Sequence, residues 1–482
     1  MLPRLWPAVL SLGWIVLALA VAQLVMAGVA WAAGDGMANS FAVAAAVTAA
    51  FGGGAVLATK GRPFEFTFRD AVILTVSAWI VLPLFAAIPL LFEPVALSFV
   101  DALFEMISAI TTTGSTVLSG LDEMPASLLL WRSTLQWFGG FGIIGLAIVI
   151  LPFLKIGGMQ LFRLESSDSA DKYLPRIRSV AQAVGQIYLG LTVLCFSAYL
   201  LLGMTPFDAL NHAFTTVCTG GFSTHDASFG YFEKPALRWV AILFMIAGAL
   251  PILAYLRLAG RGRVRDRVEP QIIVFFVVLV ATVIVMFAWL AFNGPYSVPD
   301  AFTEAAFNVV SIVTTTGYAS ADYSAWGPFA VVSFFLFMFV GGCTGSTTGG
   351  IKILRYQLLW ATMFQHVRKT IYPNIVQPVR YAGRTVNDPQ IASVGVFVFL
   401  YFATFAIVAI IFAVTGLDTT TAFSAAGAAV GNIGPGLGPE IGPISTYAGL
   451  NDPQKLVFSF TMILGRLEIL SVLVLLVPSF YR

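Results

Sequence analysis

Four short stretches hold the residues whose chemistry stands out: "FEMISAITTTGST" (104–116), "LNHAFTTVCTGGF" (210–222), "FNVVSIVTTTGYA" (307–319) and "SAAGAAVGNIGPG" (424–436). Each ends in a polar triplet carrying a glycine: Thr112, Thr113 and Gly114; Cys218, Thr219 and Gly220; Thr315, Thr316 and Gly317; Asn432, Ile433 and Gly434. An extended backbone of this kind presents carbonyl oxygens in rows, which can replace a cation's hydration shell. Glycine permits the dihedral angles that aim successive carbonyls one way, and threonine hydroxyls can brace the turn. No carboxylate is needed, and none lies in the triplets. A single Thr-Thr-Gly reads as a helix C-cap. Four, with glycines spaced by 106, 97 and 117 residues, read as a repeat.

The elements that must position these turns follow from composition. The 482 residues are 58% hydrophobic and only 10% charged, which excludes an ordinary soluble domain and predicts a polytopic membrane protein. Ten apolar stretches are long enough to span, at about 6–33, 39–59, 70–92, 127–153, 179–204, 235–258, 270–293, 326–350, 389–415 and 454–480. The run Trp6–Ala33 is too long for a signal-peptide core, so it is expected to be the first span. With a cytoplasmic N-terminus, 21 of the 26 Lys and Arg fall on inner segments, which puts both termini inside. After the first two helices, each outward span is followed by a half-length segment, a polar turn and a returning span. The four turns are therefore expected to be re-entrant loops entered from the outer face, tolerated at membrane depth only where they line a watery cavity. Short helices at about 100–111, 206–217, 300–314 and 418–430 would point their partially negative C-terminal ends inward, where a cation is favoured. Acidic residues near the mouth (Asp101, Glu105, Asp208, Asp226, Asp300, Glu304, Asp322 and Asp418) would concentrate cations, although at least half read equally well as helix caps.

Other chemistries find little support. Cys195, Cys218 and Cys343 are far apart, and His212, His225 and His366 lack metal-ligand spacing. No convergent nucleophile or acid–base pair suggests an enzyme. "GGFGIIG" (139–145) lies inside a helical stretch, so it is no dinucleotide fingerprint. The net charge of +2 is segregated by loop and gives no sign of nucleic-acid binding.

Two features belong below the turns. "GGCTGSTTGGIK" (341–352) has five glycines in twelve residues. It reads either as close helix packing of small residues or as a broken helix whose middle, with Gly341, Gly342, Gly345, Ser346, Thr347, Thr348, Gly349 and Gly350, forms a loop beneath the turns. Arg466, in "FSFTMILGRLEILSVLVLL", is the one basic residue deep in a span. Such a charge faces a cavity or a partner, and Glu468, two positions on, is on the wrong face of a regular helix to pair with it.

The four turns, "GGCTGSTTGGIK" and "GRLEI" (465–469) resemble, over essentially the whole chain, the Trk/Ktr/HKT superfamily of potassium transporters, and among them the bacterial Trk-type membrane subunit. The resemblance implies an all-α polytopic fold of ten transmembrane helices. An N-terminal two-helix extension (1–68) precedes four M1–pore-loop–M2 repeats around a central pore (69–177, 178–268, 269–387 and 388–482). It further implies a potassium filter at the four triplets, with Gly114 favouring potassium over sodium, and a gate made by the 341–352 loop together with Arg466. Family members work with no cofactor in this chain, as homodimers in the bacterial cytoplasmic membrane, and dock a cytosolic nucleotide-binding ring, TrkA, on their basic loops. The fourth triplet departs from the pattern: it lacks threonine, and Pro435 removes a backbone donor. A proton- or sodium-coupled symporter is the alternative, but carriers with inverted repeats contrast with four turns that all enter from one face.

Overall fold

The computed structural model describes residues 5–62, 66–149, 173–259 and 268–481. Basic residues Arg4, Lys155, Arg163, Lys172, Arg261, Arg263, Arg265, Arg267 and Arg482, used above to orient the chain, lie outside them. The fold is predominantly helical; among the described residues the β-structure is the two-residue pair Arg380–Tyr381 with Arg384–Thr385 and the bridge between Val340 and Ile351. Among the described residues, six single helices are long and apolar enough to cross a bilayer: Trp6–Ala33, Ala38–Thr59, Arg69–Leu91, Val180–Leu201, Pro270–Asn293 and Asp388–Val414. Asp452–Arg466 with Leu470–Leu476, bent by 98°, makes a seventh span. The chain is a multi-pass membrane protein.

Three of the ten expected spans are interrupted, each for a local reason. The stretch 235–258 breaks between Pro235–Ala249 and Ile252–Ala259, because Leu250 precedes Pro251 and is forced into an extended conformation. The stretch 326–350 is helical only over Pro328–Phe337 and then enters the glycine-rich loop. The stretch 454–480 breaks after Arg466, where Glu468 and Ile469 both take positive φ.

The four short helices are Phe99–Ile110, Pro206–Val217, Val298–Val313 and Thr419–Gly431. Each starts on a capping side chain: Ser98, Thr205 and Ser297 accept from the backbone N–H of Asp101, Asp208 and Asp300, and Asp418 accepts from Thr420 and Thr421. They sit in the interior and are buried nearly all round at their inner halves, polar residues such as Ser108, Asn211, His212, Asn308 and Ser311 included.

The returning helices pack around them in a cycle. Ala126–Val149 lies against the first and second short helices, and Pro235–Ala249 against the second and third. Asp452–Arg466 lies against the fourth and, closing the circle, the first. Phe104 of the first short helix stacks on Phe458 of that last helix. Three glycines make the close approach possible. A Cβ at Gly139 would stand 2.0 Å from the Ile110 carbonyl oxygen, at Gly248 2.7 Å from that of Val217, and at Gly465 2.2 Å from that of Val430.

Candidate functional site

Each short helix ends in the same way. The residue after the last turn takes a left-handed conformation: Thr112, Thr219 and Asn432 at φ 53°, Thr315 at 55°. The next residue's N–H reaches back five positions to close a Schellman motif: Thr113 to Ser108, Gly220 to Thr215, Thr316 to Ser311 and Ile433 to Ala428, all at 2.8–2.9 Å. Threonine is a poor left-handed residue, since its branched Cβ crowds the carbonyl. Three of them held this way show that the surroundings impose the conformation.

This geometry corrects the alignment of the second turn. Thr112, Thr219, Thr315 and Asn432 are the equivalent positions, so the partner of Gly114, Gly317 and Gly434 is Gly221, not Gly220. Gly221 has φ 79°, close to the 87° of Gly114 and 86° of Gly317. Cys218 accordingly matches Thr111, the residue that caps the end of its helix, and not Thr112.

The four turns meet in a ring. A Cβ on Gly114 would stand 2.2 Å from the Gly220 oxygen, and one on Gly221 1.9 Å from the Thr316 oxygen. One on Gly317 would lie 2.8 Å from the Gly434 nitrogen, and one on Gly434 3.1 Å from the Gly114 oxygen. Gly114, Gly221 and Gly317 are thus needed because the next turn's backbone occupies the place of a side chain, while at Gly434 the contact is tight. Gly114, Gly221, Gly317 and Gly434 all line one vestibule, together with Thr116, Arg132, His225 and Asp226. In the fourth turn, where Pro435 supplies no donor, Ser115 and Tyr447 donate to the Gly434 oxygen at 2.8 and 2.9 Å.

Directly beneath lies the loop 338–352. Thr347 Oγ1 is 3.1 Å from Thr219 Oγ1, and Gly349 N–H donates to Thr315 Oγ1 at 2.7 Å. Gly350 N–H donates to the Gly431 oxygen at 3.0 Å. The loop therefore touches the second, third and fourth turns through Thr347, Gly349 and Gly350, while Gly341, Gly342, Gly345, Ser346 and Thr348 fold it on itself and onto Ala249 and Ile252. Lys352 Nζ, which the sequence reading did not single out, donates to Thr348 Oγ1 at 2.8 Å and to the Thr348 carbonyl.

Arg466 is 3% exposed, and all three of its guanidinium nitrogens lack a hydrogen-bond partner among the described residues. Its neighbour Glu468 pairs with Arg355 at 2.6 Å instead. The break after Arg466 leaves that residue at the inner end of its helix.

The acids at the mouth are mostly structural. Glu105, fully buried, receives Arg132 Nε at 2.7 Å and also Thr116 Oγ1 and Val117 N–H. Asp101, Asp208 and Glu304 stand eleven residues before the left-handed position, where the fourth helix has Thr421. Asp101 pairs with Lys455 at 2.7 Å and Glu304 with Arg238. Both bases lie ten residues before the packing glycine of a returning helix, Gly465 or Gly248; the same count from Gly139 reaches Leu129. Asp208 has no such base and faces His225 at 3.4 Å, whose other nitrogen lies 2.5 Å from Asp122. Burial pulls the His225 pKa down, and the two carboxylates more than reverse this, leaving it above 6.5. The hydrogen bond from His225 and, less, other contacts hold the Asp122 carboxyl below 3.8.

Comparison with known proteins fits this architecture. The family described as "TrkH: Cation transport protein" matches residues 38–258 and 269–480. The "Trk system potassium uptake protein TrkI" of Halomonas elongata is 43% identical over 98% of this chain and 96% of its own. The "Trk system potassium uptake protein TrkH" of Vibrio parahaemolyticus is 39% identical over 87% of each chain. The crystal structure of the potassium transporter TrkH from Vibrio parahaemolyticus superimposes with a TM-score of 0.90 at 35% identity, covering 99% of this chain and all of that one. The chain belongs to the TrkH family of cation transport proteins, as a membrane transport subunit and not an enzyme.

Proposed function

We propose that this protein takes up potassium across the bacterial cytoplasmic membrane through a filter built from the four turns. The observation that carries the reading is the closed ring of Gly114, Gly221, Gly317 and Gly434 around one vestibule. On this reading the filter backbone is Thr112–Gly114, Thr219–Gly221, Thr315–Gly317 and Asn432–Gly434, one turn from each of the units 69–177, 178–268, 269–387 and 388–482. Helix C-terminal ends beneath the turns add a field that favours a cation, and dehydrated potassium exchanges water for carbonyl oxygens. The relatives named above are called potassium uptake proteins, which supports the choice of ion.

The 338–352 loop, hydrogen-bonded across the inner side of three turns, serves as the gate. Arg466, an uncompensated buried charge, adds an electrostatic barrier to cations beneath the filter. Both termini face the cytoplasm, the protein works as a homodimer, and its inner basic segments receive a TrkA-type nucleotide-binding subunit. The test is potassium and sodium uptake in a cell lacking its own uptake systems, comparing the wild type with Gly114→Ser. The wild type should restore growth at low potassium, and the variant should lose preference for potassium over sodium. A wild type that moves no potassium, or a variant with unchanged preference, would sink the filter reading.

A further inference from the structure

The second turn is built differently from the other three. Where the first, third and fourth carry Thr113, Thr316 and Ile433 before the ring glycine, the second carries Gly220. Branched side chains restrict their own backbone, whereas Gly220 and Gly221 in succession leave this turn the most permissive of the four. Its stiffness has to come from elsewhere.

It comes from Gln136, on the returning helix of the preceding unit. Gln136 is fully buried. Its Nε2 donates to the Gly220 carbonyl oxygen at 2.8 Å, and its Oε1 accepts from the Phe222 N–H at 3.2 Å. One side-chain amide therefore grips the turn on both sides of Gly221. The fit is mutual: a Cβ on Gly220 would stand 2.5 Å from Gln136 Oε1 and 2.6 Å from its Cδ. Amide and missing side chain occupy one space. Three residues before the packing glycine, where the first returning helix has Gln136, two others have Met245 and Met462, which cannot make such a clamp.

We propose that Gln136 is a specificity-determining residue of the pore: it orients the Gly220 carbonyl in place of the side chain that the second turn lacks. A carbonyl has two lone pairs, so the bond from Gln136 fixes the oxygen without exhausting it. In a buried, low-dielectric site, that orientation is held firmly as long as the amide stays fully bonded. The inference rests on the filter reading above and adds a residue to it that does not belong to any of the four turns.

The experiment measures reversal potentials of the full-length protein in liposomes under opposed potassium and sodium gradients, which report selectivity independently of how much protein folds. Gln136→Met should still conduct potassium, with the potassium-to-sodium permeability ratio lowered about five- to tenfold, the scale of one oriented hydrogen bond. Gly220→Ala, which pushes the amide off the turn, should lower the ratio similarly. The double variant Gln136→Met with Gly220→Thr, which rebuilds the second turn in the style of the first and third, should recover most of the loss. Unchanged ratios in both single variants, or a double variant no better than Gln136→Met, would overturn the inference. If Gly114→Ser collapses the ratio in the same liposomes, the filter reading survives that result; if it does not, the filter reading itself fails.

Discussion

Gly220 and Gly221 are adjacent, and the geometry assigns them opposite tolerances, which gives the sharpest test of the ring. Replacing Gly221 by alanine places a Cβ on a residue at φ 79°, a left-handed conformation that costs about 1–2 kcal/mol for an L-residue. The new Cβ would stand 1.9 Å from the Thr316 oxygen, against a C···O contact of roughly 3.3 Å. The third turn's backbone must then retreat by about 1.4 Å, which takes one oxygen out of register with the ion. A contact to a charged group contributes about 1.5–3 kcal/mol. The sum, about 2.5–5 kcal/mol, corresponds to a loss on the order of 10²- to 10³-fold. Gly220 is not left-handed, and its nearest obstruction is the end of the Gln136 side chain, which can move. Rubidium or potassium uptake into proteoliposomes should therefore be nearly abolished by Gly221→Ala, whereas Gly220→Ala keeps flux within about tenfold of wild type, with reduced selectivity. If Gly220→Ala proves the more damaging, Gly220 is the ring glycine after all, and the equivalence drawn from the Schellman motifs is wrong.

Three further outcomes follow from buried charge. Arg466→Ala removes a guanidinium that has no partner among the described residues, so single-channel recordings should show a higher open probability; unchanged or lower opening would refute the barrier. Glu105→Leu strands Arg132, which is 1% exposed, and should destabilise the protein by about 3–5 kcal/mol in detergent melting, more than the double variant Glu105→Leu with Arg132→Leu; additive losses would deny that the pair acts as a unit. His225 has a folded-state pKa above its ordinary value, so its contribution to stability is complete below about pH 6.5 and is lost as pH rises through the folded value. Melting temperature should fall as pH rises above about 6.5, and His225→Gln should flatten that slope; a slope that persists in the variant would place the titrating group elsewhere.

The last of these shows what a sequence can and cannot disclose. The acid eleven residues before three of the four left-handed positions was visible as Asp101, Asp208 and Glu304, and Arg238 and Lys455 were visible as bases. Two of the pairings were not, because they join residues far apart in the chain, Lys455 with Asp101 and Arg238 with Glu304, while Asp208 meets His225 within its own stretch, where Leu129 supplies no base. The four polar turns and their glycines were legible because such stretches are rare enough in so apolar a chain for their recurrence to be informative. The register of the second turn was not legible, since Thr219 followed by Gly220 imitates the Thr-Gly of the first and third turns. Only the left-handed φ of Thr219 and the six-residue hydrogen bond from Gly220 to Thr215 mark where the helix stops. The interrupted spans fail for a related reason. Hydropathy counts residues, and Leu250–Pro251, the 341–350 glycines and the bend after Arg466 are apolar enough to pass, yet their backbones leave the helix. Those departures gather under the turns: Gly248 and Ala249 accept from Thr347 and Cys343 of the loop, and Gly350 reaches the end of the fourth short helix. Broken helices at membrane depth require polar neighbours for their freed backbone groups, and here the loop and the helix ends supply one another.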